Sequence, residues 1–169
     1  MSLLKKNIVY NYVSQLYVTL TSILLLPFYL KYMGAEAYGL IGFFAMLQAW
    51  FMVLDLGLTP TISRETARYM GGSTDPTSFL RLYRALSVIF ILIAFIGGLT
   101  LFLLSNSTAN NWLTFTSISI YDVEFCLKII AVIVALRWIT GLYRGIVSGA
   151  EKLVWLSLFN IIVATSRFP

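Results

Sequence analysis

The chain has 169 residues, of which 59% are hydrophobic and 11% are charged. Because soluble domains carry about 25% charged residues, most of this surface must face lipid or other apolar helices. The composition therefore predicts an integral membrane protein and excludes a soluble globule or a disordered chain. The absence of histidine excludes histidine triads, His-ligated zinc and imidazole catalysis, and we expect no metal and no cofactor. The positive residues form no single stripe, so no nucleic-acid partner is expected.

Apolar stretches of about 20 residues are long enough to cross a membrane as helices. The sequence has four complete stretches and the beginning of a fifth, at about residues 8–30, 40–58, 86–104, 125–143 and 153–169. No alternating strand pattern recurs, and backbone amides in lipid must be satisfied within each segment. We therefore expect an all-α integral membrane bundle. Cys126 can form no internal disulfide and is expected to fill space in the fourth span.

The first span carries a polar stripe within an arc of about 80°. Its members are Asn11, Gln15, Thr19 and Ser22, with Ser14 beside them. Such a stripe either lines a water-accessible cavity or forms hydrogen bonds between helices, and both interpretations stay open. Pro27, in the outer part of this span, predicts a kink.

The second span has Gln48 near its middle and Asp55 near its inner end. Polar residues at membrane depth are expensive and mark functional sites, so Gln48 is a candidate cavity residue. Asp55 could bind a coupling cation, hold a neighbouring arginine such as Arg137, or remain solvated at the helix end.

Proline and glycine delimit the connection after the second span. Thr59-Pro60 and Asp75-Pro76 each pair a helix-capping residue with proline at the first helical position, and Gly71-Gly72 predicts the end of the short helix between them. This helix places Arg64 and Arg68 on one face. They either contact anionic headgroups at the inner membrane surface or act only as topology signals.

The fourth and fifth segments carry deep basic residues. Lys128 is close enough to the outer end of its span for its amine to reach the membrane surface. Arg137 and Arg167 lie too deep in their spans for their guanidinium groups to reach it. Both arginines either face a cavity for an anionic substrate or form structural ion pairs. A glycine every fourth residue, at 141, 145 and 149, predicts either a close helix approach or a tight turn.

Charge asymmetry predicts the orientation of the chain. With a cytoplasmic N-terminus, the inner side holds eight basic residues and the outer side holds Lys31. The inner residues are Lys5, Lys6, Arg64, Arg68, Arg81, Arg84, Arg144 and Lys152. The positive-inside rule favours this topology. The first span is too long for a cleavable signal peptide.

Five segments of the chain carry a recognisable pattern: LLPFYL at 25–30, GAEAYGLIGFF at 34–44, LDLGLTPTISRE at 54–65, GLYRGIVSG at 141–149, and residues 160–168. Together they resemble the polysaccharide transporter family, the O-antigen and teichoic-acid exporters called Wzx-type flippases, of the multidrug/oligosaccharidyl-lipid/polysaccharide exporter superfamily. They occur in family order along nearly the whole chain.

The resemblance implies a multi-pass carrier of the bacterial inner membrane that flips an undecaprenyl-pyrophosphate-linked oligosaccharide by alternating access between two lobes. Residues 1–169 would form the N-terminal part of the first lobe, with lipids and other polysaccharide-assembly proteins as further partners. Arg137 and Arg167 would attract pyrophosphate or acidic sugars, and Asn11 and Gln15 would contact sugar hydroxyls. Asp55 would hold a counterion or help close the inner gate.

Length is where the chain departs from this family. Four spans and part of a fifth are fewer than the six of one family lobe, so we expect a fragment that is inactive alone. Three other functions remain open: a multidrug-type exporter, a membrane-embedded enzyme of polysaccharide assembly, and a non-transporting remnant. Deep basic residues disfavour an exporter of organic cations, and the small connecting segments disfavour an enzyme.

Overall fold

A computed structural model describes residues 3–113 and 118–166, and these residues form helices joined by short turns. The helices are α1 (Leu3–Leu54), α2 (Leu58–Met70), α3 (Pro76–Leu103), α4 (Ser105–Asn111), α5 (Ile120–Gly149) and α6 (Leu153–Thr165). Within the described ranges there is no strand. The predicted all-α fold is confirmed.

Three segments are long and apolar enough to span a membrane: Asn7–Leu54, Pro76–Leu103 and Ile120–Gly149. The first has 48 residues. A straight helix of that length would extend about 72 Å, more than twice the hydrocarbon thickness of about 30 Å. Helix α6 is apolar but shorter, and it begins at Leu153 as predicted. The first two predicted spans therefore lie within one helical segment, and the predicted count of four separate complete helices was inexact.

Helix α1 folds back on itself at Gly34. The backbone there has φ 81° and ψ 165°, a conformation that favours glycine because it has no Cβ. Ser14 and Met52 would lie about 57 Å apart in a straight helix, yet both line one cavity. The chain therefore reverses between a first half (residues 3–33) and a second half (residues 35–54). A single residue replaces the connecting loop predicted between residues 30 and 40.

Pro27 lies inside α1, and the non-helical dihedrals of this segment occur at Gly34. Proline removes one backbone hydrogen bond but keeps a helical φ, whereas positive φ takes the chain out of the helix. The reversal at Gly34 is thus separate from the kink expected at Pro27, which stays a prediction.

The start of α2 also differs from the prediction. The second half of α1 ends at Leu54, and the turn after it contains two residues with positive φ, Leu56 at 45° and Gly57 at 85°. Helix α2 begins at Leu58, so Thr59 lies inside the helix and is not its cap. The Asp55 carboxylate instead accepts hydrogen bonds from the Thr59 amide at 3.2 Å and the Thr59 hydroxyl at 2.9 Å. Asp55 thus satisfies an exposed donor of the first turn.

The other capping prediction is confirmed. Asp75 precedes α3, its carboxylate accepts hydrogen bonds from the amides of Thr77 and Ser78, and proline occupies the first turn.

A hydrophobic core joins α2, α3 and α5. It contains Ile62, Leu86, Phe90, Ala94, Trp138 and Leu142. A second cluster of Leu40, Ala109, Val123 and Leu127 lies at the opposite end of α5, and Cys126 packs against it. The two clusters fix α5 at the centre of the bundle.

Two glycines of α5 let α2 approach its backbone. A Cβ atom on Gly145 would lie 2.5 Å from Ile62 Cγ2 and 3.0 Å from the Thr59 carbonyl oxygen, and one on Gly149 would overlap the Ser63 carbonyl oxygen. Helix α5 continues through Gly149. The close-approach interpretation of the glycine repeat is therefore correct at these two positions.

Substituting Gly149 with alanine should separate α2 from α5. Forcing a methyl group against backbone atoms costs about 1–3 kcal/mol, so we expect Gly149→Ala to lower the thermal unfolding midpoint in detergent, measured by circular dichroism. Gly42→Ala is the matched control, because Gly42 is helical and has no heavy atom within 4 Å of the added carbon. Equal midpoints for both variants would contradict the close contact.

Removing the Asp55 carboxylate should destabilise the first turn of α2. We expect Asp55→Ala to reduce stability by about 1 kcal/mol, as for loss of a helix cap. Asp55→Asn keeps an acceptor oxygen and should therefore retain most of the stability that the alanine variant loses. Unfolding in detergent measures both variants, and an alanine variant as stable as the parent would show that the Thr59 contact has no capping role.

Candidate functional site

A cavity of about 1120 Å³ lies between the two halves of α1 and helices α5 and α6. Thr59 and Pro60 of α2 and Phe90 of α3 complete its wall. The fold-back at Gly34 brings the first and second predicted spans to this cavity, so residues far apart in the sequence share one site.

Arg137 and Gln48 meet across the cavity. Arg137 Nη1 donates to Gln48 Oε1 at 2.7 Å, and the guanidinium lies 5.9 Å from the centre of the Phe44 ring. Both residues line the cavity. The suggested structural partner of Arg137, Asp55, also lines the cavity but has its carboxylate on Thr59.

Arg144 is a cavity residue that sequence reasoning missed. Its Nη2 donates to Asn160 Oδ1 of α6 at 2.9 Å, and both residues line the cavity. We had counted Arg144 among the inner-side charges. The signal was its spacing: seven residues after Arg137 is about two helical turns, which places both arginines on one face of α5.

The polar stripe of the first span is only partly directed into the cavity. Ser14, Gln15 and Thr19 line it, whereas Asn11 and Ser22 are exposed residues outside the lining. The Ser14 hydroxyl donates to the Asn11 carbonyl at 2.9 Å, so part of the stripe's polarity is satisfied within α1.

Hydrogen bonds between helices involve other residues of the same half. The Tyr17 and Thr165 hydroxyls are 3.0 Å apart, and Asn7 Nδ2 donates to the Glu151 carbonyl at 3.1 Å. These two contacts attach the first half of α1 to α6 and to the turn before it.

Of the other basic residues considered in the spans, Lys128 lies away from the cavity. Lys128 forms an ion pair with Glu124 at 2.6 Å and lies 5.7 Å from the Phe102 ring centre, with 37% of its side chain exposed. It is not a cavity residue. Arg167 lies outside the described residues, so its predicted position in the cavity stays a prediction.

Aromatic rings form much of the remaining wall. Trp138 contacts Phe51 and Phe90, at centroid distances of 5.6 and 5.4 Å. Trp155 and Phe159 of α6 stack at 5.8 Å with an interplanar angle of 7°. All five residues line the cavity. Flat apolar walls beside polar groups are a common arrangement in sites for small organic ligands.

Two buried donors in this wall have no partner in the described part of the chain. They are Gln48 Nε2 and Trp138 Nε1. The Gln48 orientation is set by its other atom, because Oε1 accepts from Arg137. Unsatisfied buried donors are rare, and one explanation for them is an acceptor supplied by a ligand.

The charged residues in the lining are Arg137, Arg144 and Asp55. Arg137 donates to the amide oxygen of Gln48, and Arg144 donates to the amide oxygen of Asn160. The site combines positive charge, amide and hydroxyl groups, and aromatic walls.

Comparison with known proteins identifies the family of the chain. The family profile described as "Polysaccharide biosynthesis protein" matches residues 4–169. The chain is 26% identical over 147 residues to a protein of Shigella flexneri named "Putative O-antigen transporter", covering 87% of this chain and 34% of that protein. The chain thus spans about a third of the length of this relative. No solved structure matches.

The long apolar helices and the family match together make the chain a multi-pass membrane protein. Because the profile extends over almost its full length, the chain belongs to the polysaccharide biosynthesis protein family.

Proposed function

We propose that this chain forms the N-terminal part of the first lobe of an exporter that flips undecaprenyl-pyrophosphate-linked polysaccharide repeat units, such as O-antigen units, by alternating access. The observation that carries this proposal is that Arg137 and Arg144 line one cavity from the same helix, and that each donates to a neutral amide oxygen. The family and the name of the relative support transport and not catalysis.

The arginines suit a pyrophosphate group. Arg137 is at least 12 residues, about 18 Å, from either end of α5, so its charge must be compensated at membrane depth. Guanidinium binds phosphate oxygens through two parallel hydrogen bonds and stays charged. The hydrogen bonds to Gln48 and Asn160 fix the orientation of the two guanidinium groups in the cavity wall. Arg167 is proposed to contribute to the same anion site.

The rest of the wall suits a sugar chain. Gln15, Thr19 and Gln48 offer amide and hydroxyl groups, and Trp155 with Phe159 offers an apolar platform for the face of a sugar ring. Asn11, one helical turn before Gln15, is proposed to contact sugar hydroxyls where the oligosaccharide extends beyond the cavity.

Asp55 is proposed to act at the inner gate or to hold a counterion. It lines the cavity and caps α2, so a change in its partners would act on both the lining and the α1–α2 turn. The lining contains two arginines and one acid, which favours an anionic cargo over the organic cations of multidrug carriers.

We also propose a bacterial inner-membrane location with a cytoplasmic N-terminus. The hydrogen bond between Asn7 and Glu151 holds the start of α1 beside the α5–α6 turn, and α2 packs at the same end of α5. Most of the exposed basic residues therefore gather at one end of the bundle, as the positive-inside rule requires of a cytoplasmic face.

Removing either cavity arginine in the full-length carrier should reduce export. A hydrogen bond to a charged group contributes about 1.5–3 kcal/mol, so Arg137→Ala and Arg144→Ala should each weaken cargo binding by roughly tenfold or more. Arg167→Ala tests the third proposed group. The measurement is the amount of surface polysaccharide at equal protein expression, with Lys31→Ala as a control that removes one exposed positive charge outside the cavity. A normal amount of surface polysaccharide in all three arginine variants would contradict the proposed anion site.

A topology reporter fused at Asn110 should be active on the periplasmic side. Asn110 is in α4, at the end of the bundle opposite α2, and it is exposed. A matched fusion at Gly72, which follows α2, should report a cytoplasmic position. The reverse pair of signals would overturn the orientation.

A further inference from the structure

Four exposed arginines outside the cavity surround the junction of α2 and α3. Arg64 and Arg68 lie on α2, and Arg81 and Arg84 lie on the first turns of α3. We propose that they form a surface site for the headgroup of an anionic glycerophospholipid such as phosphatidylglycerol. This site, the arginine collar, is independent of the proposed export function.

The packing of α2 directs its two arginines away from the bundle. Ile62 is fully buried against α5. At about 100° per residue, Arg64 and Arg68 project about 160° and 120° away from Ile62. Their side chains are 74% and 54% exposed.

The α3 arginines lie just before the apolar part of that helix. Leu86 is the first buried core residue of α3, and Arg84 and Arg81 precede it by about 3 and 8 Å along the axis. No charged residue follows Arg84 in α3, and the 19 residues at 85–103 extend about 29 Å, close to the hydrocarbon thickness of about 30 Å, so both arginines lie where this helix would leave the hydrocarbon.

An aromatic contact joins the two helices that carry these arginines. The Tyr69 and Phe79 rings stack at 4.6 Å with an interplanar angle of 8°, which connects the last turn of α2 to the first turn of α3. Both pairs therefore lie at the same end of the molecule, around the α2–α3 junction.

Nearby acids compensate only part of this charge. Arg64 and Arg68 share Glu65, at 3.6 and 3.0 Å, while no ion pair to Arg81 or Arg84 occurs among residues 3–113 and 118–166. The Asp75 carboxylate accepts hydrogen bonds from Thr77 and Ser78 at the start of α3. The four positive charges of the collar therefore outnumber the two acids in its helix segments, which are Glu65, shared by Arg64 and Arg68, and Asp75, which caps α3.

Exposed apolar side chains beside the arginines favour a lipid over a soluble anion. Met70 is 62% exposed and Leu80 is 48% exposed, on the two helices that carry the collar. A phospholipid satisfies both features, because its phosphate contacts guanidinium groups while its glycerol and upper acyl region contact the apolar side chains. Inorganic phosphate would satisfy only the first.

The collar can be tested by native mass spectrometry of the full-length protein, titrated in detergent with dioleoyl phosphatidylglycerol or dioleoyl phosphatidylcholine. We expect preferential binding of phosphatidylglycerol, weakened by salt. Each arginine near an anionic headgroup contributes about a fivefold factor in affinity. Arg81→Gln/Arg84→Gln and Arg64→Gln/Arg68→Gln should therefore each weaken binding by about tenfold or more.

Single variants provide the matched control. Arg84→Gln and Lys31→Gln each remove one exposed positive charge, but Lys31 lies near Gly34 at the other end of the first half of α1. Circular dichroism confirms that each variant is folded. Any of three results would overturn the lipid site: equal affinity for the two lipids, an equal loss of phosphatidylglycerol affinity in both single variants, or full competition by inorganic phosphate. In the first case the four arginines would serve only to orient the chain.

Discussion

The contact between Arg137 and Gln48 shows what a charged side chain at membrane depth requires of the fold. A guanidinium cannot be left in hydrocarbon without compensation, and here it meets an amide oxygen from a helix that reaches it only because α1 reverses at Gly34. The reversal, the pairing of the second half of α1 with α5, and the cavity between them are parts of one arrangement. Without the fold-back, Gln48 could not share a cavity with Gln15.

The sequence could predict the features that depend on local chemistry. Apolar length predicts the spans, Asp75-Pro76 predicts the start of α3, and the glycine repeat predicts either a tight turn or the close approach of another helix, which proved to be α2. Each of these signals is contained in a few neighbouring residues. The same is true of the fold class, because an apolar chain without strand periodicity has few alternatives in a bilayer.

The features that sequence analysis missed depend on contacts between distant segments. Gly34 was not recognised as the point of reversal, because nothing in its neighbours distinguishes it from other glycines. Arg144 was assigned to the inner-side charges, although its spacing from Arg137 places it on the cavity face. Asp55 was expected to bind a cation, hold an arginine or remain solvated at the helix end, and none of these alternatives included Thr59, which the backbone turn at Leu56 and Gly57 brings within reach of its carboxylate.

The surroundings of Gly34 have a mechanical consequence. Added atoms at this residue would meet nothing within 4 Å, so no packed neighbour constrains the angle between the two arms that it joins. Instead, the angle depends on the packing of α6 against the first half of α1 and of α5 against the second half. Substitutions on the contacting faces of α5 and α6 can therefore widen or narrow the cavity without any change at Gly34 itself.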